Sequence, residues 1–141
     1  MGQQQLLLVI LVTIIVGIAT VVAINTFGSA ADAANLDAVR QDIATIASSA
    51  QGYYMKPQML GGGGRTFDNL DFEGMAVPGE IDASDSAIIT NENGTYQITA
   101  AAGDVLTVQA YAASEDDYDG STGGTLTFTA TIGPNSLAGL S

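Results

Sequence analysis

The first 31 residues carry no ionisable side chain, while all 18 Asp, Glu, Lys and Arg residues lie between positions 32 and 141. Within the uncharged stretch, Leu6 to Phe27 spans 22 residues, of which 15 are Leu, Ile, Val or Phe. The other seven are Thr13, Gly17, Ala19, Thr20, Ala23, Asn25 and Thr26. As a helix rising ~1.5 Å per residue, this run measures about 33 Å, enough to cross the hydrocarbon layer of a bilayer. At roughly 0.3–0.6 kcal/mol per large apolar residue, insertion gains about 5–9 kcal/mol before the polar positions subtract from it. Such a segment does not stay in water alone. Ala31–Asp32–Ala33 offers an Ala-x-Ala pattern, but a cleaved secretory signal is disfavoured because no basic region precedes the run and the run is too long. A core helix apolar on every side would need more chain to wrap it than about 110 further residues supply. Two destinations remain: a plain membrane anchor, or a helix that leaves the membrane and packs against copies of itself.

Composition then removes most chemistry. With 15 Asp plus Glu against 3 Lys plus Arg, the net charge of −12 excludes nucleic-acid binding through a basic surface. There is no Cys and no His, so disulfides, thiolate or imidazole metal ligation, cysteine nucleophiles and histidine bases are absent. Glu115–Asp116–Asp117–Tyr118–Asp119–Gly120 concentrates carboxylates in a turn, making Asp117 and Asp119 candidate calcium ligands. The spacing lacks the distal Glu of an EF-hand, and a solvated loop is the favoured reading. Asn93–Gly94–Thr95 fits a glycosylation sequon, but a hairpin turn is sufficient to explain it. Carboxylate pairs for acid/base work can be drawn from many positions and no context favours any. The expectation is a protein without enzyme activity or cofactor.

Helix-compatible sequence continues past Phe27–Gly28–Ser29, rich in Ala and free of Pro until Pro57. Leu36, Val39, Ile43, Ile46, Ala50 and Tyr53 recur at spacings of 3, 4, 3, 4 and 3, a one-sided stripe. Asp37, Arg40, Gln41, Asp42 and Ser48 lie mostly off it, and Asp37 can pair with Arg40 at i,i+3. A single helix from about Gln3 to Tyr54 would be ~78 Å long. It stops at Lys56–Pro57, since proline disfavours helix at the residue before it. Gly61–Gly64 reads as a plain flexible linker turn and residues 65–87 as an irregular connection with short strands. Phe67, Leu70, Phe72, Met75, Val77 and Ile81 pin that connection.

From Ile88 the pattern becomes β. Thr95–Ala100, Val105–Tyr111 and Thr125–Ile132 alternate apolar with polar residues, punctuated by turns at Asn93–Gly94 and Gly103–Asp104. In the last strand Leu126, Phe128, Ala130 and Ile132 share one face and four Thr the other. An antiparallel meander with one apolar face results, and the striped half of the helix is its simplest cover. The fold class is α+β: a long N-terminal helix, apolar then amphipathic, packed on a small C-terminal antiparallel sheet. Residues 1–29 form the apolar helix and residues 30–141 a globular head. The head divides into the amphipathic half 30–56, the glycine-rich loop 57–87 and the meander 88–141.

This order of an uncharged apolar N-terminus, a continuing helix, a glycine-rich loop and a small sheet resembles the type IV pilin superfamily of surface-filament subunits. The resemblance covers the whole architecture, and at the level of sequence it covers Gly2 to about Phe27. It implies that prepilin peptidase cuts after a glycine, here at Gly2–Gln3, although Met1 can equally be the mature first residue. It also implies that the apolar helices bundle into the filament core. Gln3, Gln4, Gln5, Leu7, Leu11, Thr13, Gly17, Thr20 and Ile24 are the candidate assembly residues. Two departures mark a divergent branch. Many members carry a Glu a few residues into the mature helix, where this chain has Gln5 or Leu7, and their helix-breaking proline is absent here, with Gly17 the nearest substitute. Thr13, Gly17 and Thr20 lie at i, i+4 and i+7, and small residues at such spacing let apolar helices approach closely. Gln3–Gln4–Gln5 has a second reading, a polar cap at the membrane surface.

The expected function is a structural subunit of an extracellular pilus-like filament. Its implied partners are identical subunits in a helical polymer, prepilin peptidase and the assembly machinery, with the membrane as host before assembly. The alternatives are a pseudopilin of a secretion system and a monomeric, membrane-anchored binding domain.

Overall fold

A computed structural model describes residues 2–114 and 125–140. The element order is a helix α1 (Gly2–Met55), then strands β1 (Glu80–Ile81), β2 (Ile88–Thr90), β3 (Gly94–Ala102), β4 (Val105–Ala112), β5 (Phe128–Gly133) and β6 (Ser136–Ala138). Two single 3₁₀ turns, Gln58–Leu60 and Phe72–Gly74, sit in the connection between α1 and β1. The chain comprises two compact units, residues 1–34 and residues 35–141. Helix α1 runs without a break through Asn25, Thr26 and Gly28.

In the second unit the six strands pair antiparallel in chain order, a pure meander. The expected α+β class is observed. Val39, Ile43, Ile46, Ala47 and Ala50 of α1 are buried together with Tyr96, Ile98, Leu106, Val108, Ala110, Ala112, Phe128, Ala130 and Ile132 of the sheet. Leu36 and Tyr53, the ends of the predicted stripe, are half-buried against this core. The 3–4 spacing therefore marks the face that the sheet covers, and burying it removes apolar area from water at roughly 25 cal/mol per Å².

Two details of the sheet depart from simple alternation. Ile98 pairs with Val108 and Ala100 with Thr107, so Thr99 is an extra residue in β3. This bulge shifts the inward face from Tyr96 and Ile98 to Ala101, which a strict period of two does not anticipate. Leu126 precedes β5 and is 44% exposed, so the apolar face of that strand begins at Phe128. Strand β6, after the turn at Pro134–Asn135, is too short and too poor in alternation to be read from sequence.

The glycine run is not a plain linker. A helix leaves its last carbonyls without intrahelical partners, and here the run supplies them. Gly63 N–H donates to Tyr53 O at 2.9 Å, Gly64 N–H to Lys56 O at 2.9 Å and Arg65 N–H to Tyr54 O at 2.9 Å. Gly62 and Gly63 are buried, and a Cβ would collide with Lys56 O at the first and with Thr66 O and the Tyr53 ring at the second. Gly61 and Gly64 adopt φ of +78° and +60°, a region that favours glycine. Tetraglycine is thus a tight cap that returns the chain onto the helix end.

The connection beyond it is pinned as expected. Phe67, Leu70, Phe72 and Met75 are buried, and the Phe67 ring lies 5.0 Å from that of Tyr54. The β3–β4 turn is gripped from the same segment: Phe67 N–H donates to Gly103 O at 2.7 Å, and Gly103 N–H donates to Asp68 at 2.7 Å. Gly103 itself has φ +58°, which suits the two-residue turn between Ala102 and Val105.

Candidate assembly surface

In the first unit the apolar side chains are exposed along the whole run. From Leu6 to Phe27 the large apolar residues are between 53% exposed at Ile10 and 75% at Phe27. They cover every side of the helix, so no rotation of α1 hides them. The helix is long and apolar enough to cross a membrane by length and composition.

The three threonine hydroxyls inside the run are satisfied locally. Thr13 Oγ1 donates to Val9 O at 2.7 Å, Thr20 Oγ1 to Val16 O at 2.8 Å and Thr26 Oγ1 to Val22 O at 2.8 Å. Each hydroxyl returns its proton to the carbonyl four residues back, which suits an environment without water. A Cβ placed on Gly17 or on Gly28 would meet nothing within 4 Å. Neither glycine is demanded by contacts within the chain.

The predicted assembly residues Gln3, Gln4, Gln5, Leu7, Leu11, Thr13, Gly17, Thr20 and Ile24 all lie in α1 and are exposed. Thr13, Gly17, Thr20 and Ile24 follow one another by 4, 3 and 4 residues, so the structure brings them onto one face. Gly2 of the Gly2–Gln3 junction is the first residue of the helix. The calcium candidates Asp117 and Asp119 lie outside the described residues, and among the described residues no group of His, Cys, Asp or Glu is arranged to hold a metal.

In the second unit, Asp42, off the stripe as expected, has a role that pattern reading missed. Its Oδ2 accepts three hydrogen bonds, from Asn91 Nδ2 at 2.8 Å, Asn93 Nδ2 at 2.8 Å and Tyr96 Oη at 2.7 Å. Burial pushes its carboxyl up, but the bonds from Asn93, Tyr96 and Asn91 together outweigh it and hold the carboxyl below the usual aspartate range. Burial and the bond to Asp42 both push the Tyr96 phenol up. Asp42 thereby locks α1 to the β2–β3 turn. The available signal was its position beside Ile43, three residues after Val39, with two Asn bracketing Glu92 in a turn.

The same contacts bear on the sequon. The Asn93 amide is spent on Asp42, its backbone O accepts from Asn35 Nδ2 at 2.9 Å, and Thr95 is buried. Asn91 Oδ1 accepts from the backbone N–H of Asn93 and Gly94, building the turn. Gly94 is required by closeness, because a Cβ there would collide with Tyr111 O. Arg40 pairs with Asp37 at 2.8 Å, as the i,i+3 spacing predicts, and its guanidinium also lies 4.7 Å from the centre of the Phe128 ring.

No protein-family model, curated protein or solved structure matches the chain. The long N-terminal helix and antiparallel sheet are compatible with a pilin-like fold.

Proposed function

We propose that the protein is a structural subunit of an extracellular type IV pilus-like filament that polymerises through residues 1–29. The observation that carries this reading is the exposed, uncharged run Leu6–Phe27, joined in one unbroken helix to a stripe that the sheet covers. Before assembly the run resides in the membrane. After assembly it is shared among identical helices, which satisfy the same apolar surface without lipid. Thr13, Gly17, Thr20 and Ile24 form the face of closest approach, where the missing side chain of Gly17 leaves room for a neighbour. If Met1 is the mature first residue, Gln5 takes the place of the usual charged contact with a neutral hydrogen bond; if prepilin peptidase cuts at Gly2–Gln3, apolar Leu7 stands in that place. The sheet unit, with its acidic and Thr-rich surface, forms the outer wall, and no catalytic role is assigned to it.

Shearing of cells followed by electron microscopy of the supernatant tests this directly. Long fibres reacting with an antibody against the sheet unit are the expected result. Protein recovered solely in detergent extracts as single molecules would refute the filament reading and favour a membrane-anchored domain.

A further inference from the structure

The end of α1 is unlike the rest of the molecule in charge. Between Ile43 and Phe67 the chain has Lys56 and Arg65 and no Asp or Glu, whereas after Arg65 every charged side chain is acidic, 12 in all. The remaining cation, Arg40, is committed to Asp37 and Phe128. Lys56 and Arg65 are exposed and make no ion pair among the described residues. The glycine cap draws them together, because Gly64 binds the Lys56 carbonyl and Arg65 binds that of Tyr54.

Beside these cations stand three apolar side chains in water: Met55 at 67% exposure, Met59 at 97% and Leu60 at 66%. They are not loose. Leu60 N–H donates to Pro57 O at 3.0 Å, Gly61 N–H to Gln58 O at 3.0 Å and Gly62 N–H to Pro57 O at 3.1 Å. Arg65 adopts φ +72°, uncommon for a residue with a side chain, and lines a cleft with Tyr54, Met55, Pro134 and Asn135. Exposed apolar side chains carried on a hydrogen-bonded backbone, next to cations that make no ion pair among the described residues, mark a surface for a partner.

We propose that this basic, methionine-bearing cap docks on the acidic sheet side of a second copy of the chain, an inference that rests on the filament reading. The complement is present on the chain itself. Asp71, Glu73, Glu80, Asp82 and Asp85 flank β1 at the edge of the sheet with no cation among them. A contact between two different patches is heterologous, and repeated without closure it generates a helical array. Opposite charge fixes which patch is met, and Met59 and Leu60 lose their water on contact.

The test places the photo-reactive residue p-benzoylphenylalanine at Met59 in the full-length protein in cells, a position exposed enough to leave the fold intact. Irradiation is expected to give a covalent dimer of this chain, with the cross-linked peptide falling within residues 71–92. Adding Lys56→Glu and Arg65→Glu is expected to abolish the dimer, and further adding Glu73→Lys and Glu80→Lys to restore it. Filaments without any dimer, an adduct to lipid, or a cross-link onto residues 1–34 would each overturn the docking while leaving the filament reading in place. A dimer on cells that make no filaments would uphold the docking and defeat the filament reading, and the absence of both would overturn both.

Discussion

Residues 6–27 and 36–53 belong to one helix, yet they face opposite circumstances. In the second segment Val39, Ile43, Ile46 and Ala50 are fully buried, and the polar residues between them face outward or are bonded to the sheet. In the first, each large apolar residue is more than half exposed, and the hydroxyls that interrupt them are turned back on the helix's own carbonyls. The first segment is the more apolar, with 17 hydrophobic residues of 22 against 9 of 18, but amount alone does not say what covers each. The difference lies in angular distribution. A stripe can be completed by one sheet, whereas a helix apolar all round can be completed only by surroundings on every side, whether lipid or other helices.

This contrast is broken most directly by a matched pair of truncations. Ile46→Ala is expected to destabilise the sheet unit by about 3–4 kcal/mol, the usual cost of emptying a fully buried isoleucine site. Ile14→Ala should leave its melting unchanged. Denaturant melts in detergent, followed by near-ultraviolet tyrosine dichroism, measure both. A shift at Ile14 comparable to that at Ile46 would show that the apolar segment takes part in the fold of the sheet unit.

Asp42→Ala comes next, at about 2–3 kcal/mol, because it strands three donors, among them the hydroxyl of the buried Tyr96. The sign of the pH effect follows from the lowered carboxyl. Its contribution is complete above the ordinary aspartate range and is lost as the pH falls through the lower value held in the folded state. Asp42→Asn should therefore flatten the acid limb of the stability profile, and an unaltered limb would remove Asp42 from the account.

Gly63→Ala is expected to cost about 2 kcal/mol, since the added methyl meets Thr66 O and the Tyr53 ring and must displace one of them. Ala at Gly52, where a Cβ meets nothing, is the control. The smallest effect on unfolding belongs to Gly17→Leu, which should leave the sheet unit's melt untouched while sharply reducing the fibres recovered by shearing. Normal fibres from that variant would refute close helix packing at Gly17.

Pattern and spacing made the α+β class, the helix end near Pro57 and the core stripe legible before any coordinates, because each rests on local periodicity or on the fixed geometry of proline. The bulge at Thr99 was not legible, since one extra residue in a strand leaves no mark in composition. The cap at Gly61–Gly64 was misread for a related reason. Glycine signals freedom in sequence, and only the closeness of the Tyr53 ring and the Thr66 carbonyl shows that here it serves tight contact.

By itself the sequence determined that residues 6–27 must be taken out of water, since an uncharged, all-round apolar helix has no favourable hydrated state. It also determined which face of residues 36–53 is covered. Tertiary structure alone decided that Asp42 is a lock and not a surface charge, and that Lys56, Arg65 and Met59 stand together at the helix end. Those facts depend on residues distant in sequence meeting in space, and hydrogen bonds and charge act over distance in space, not along the chain.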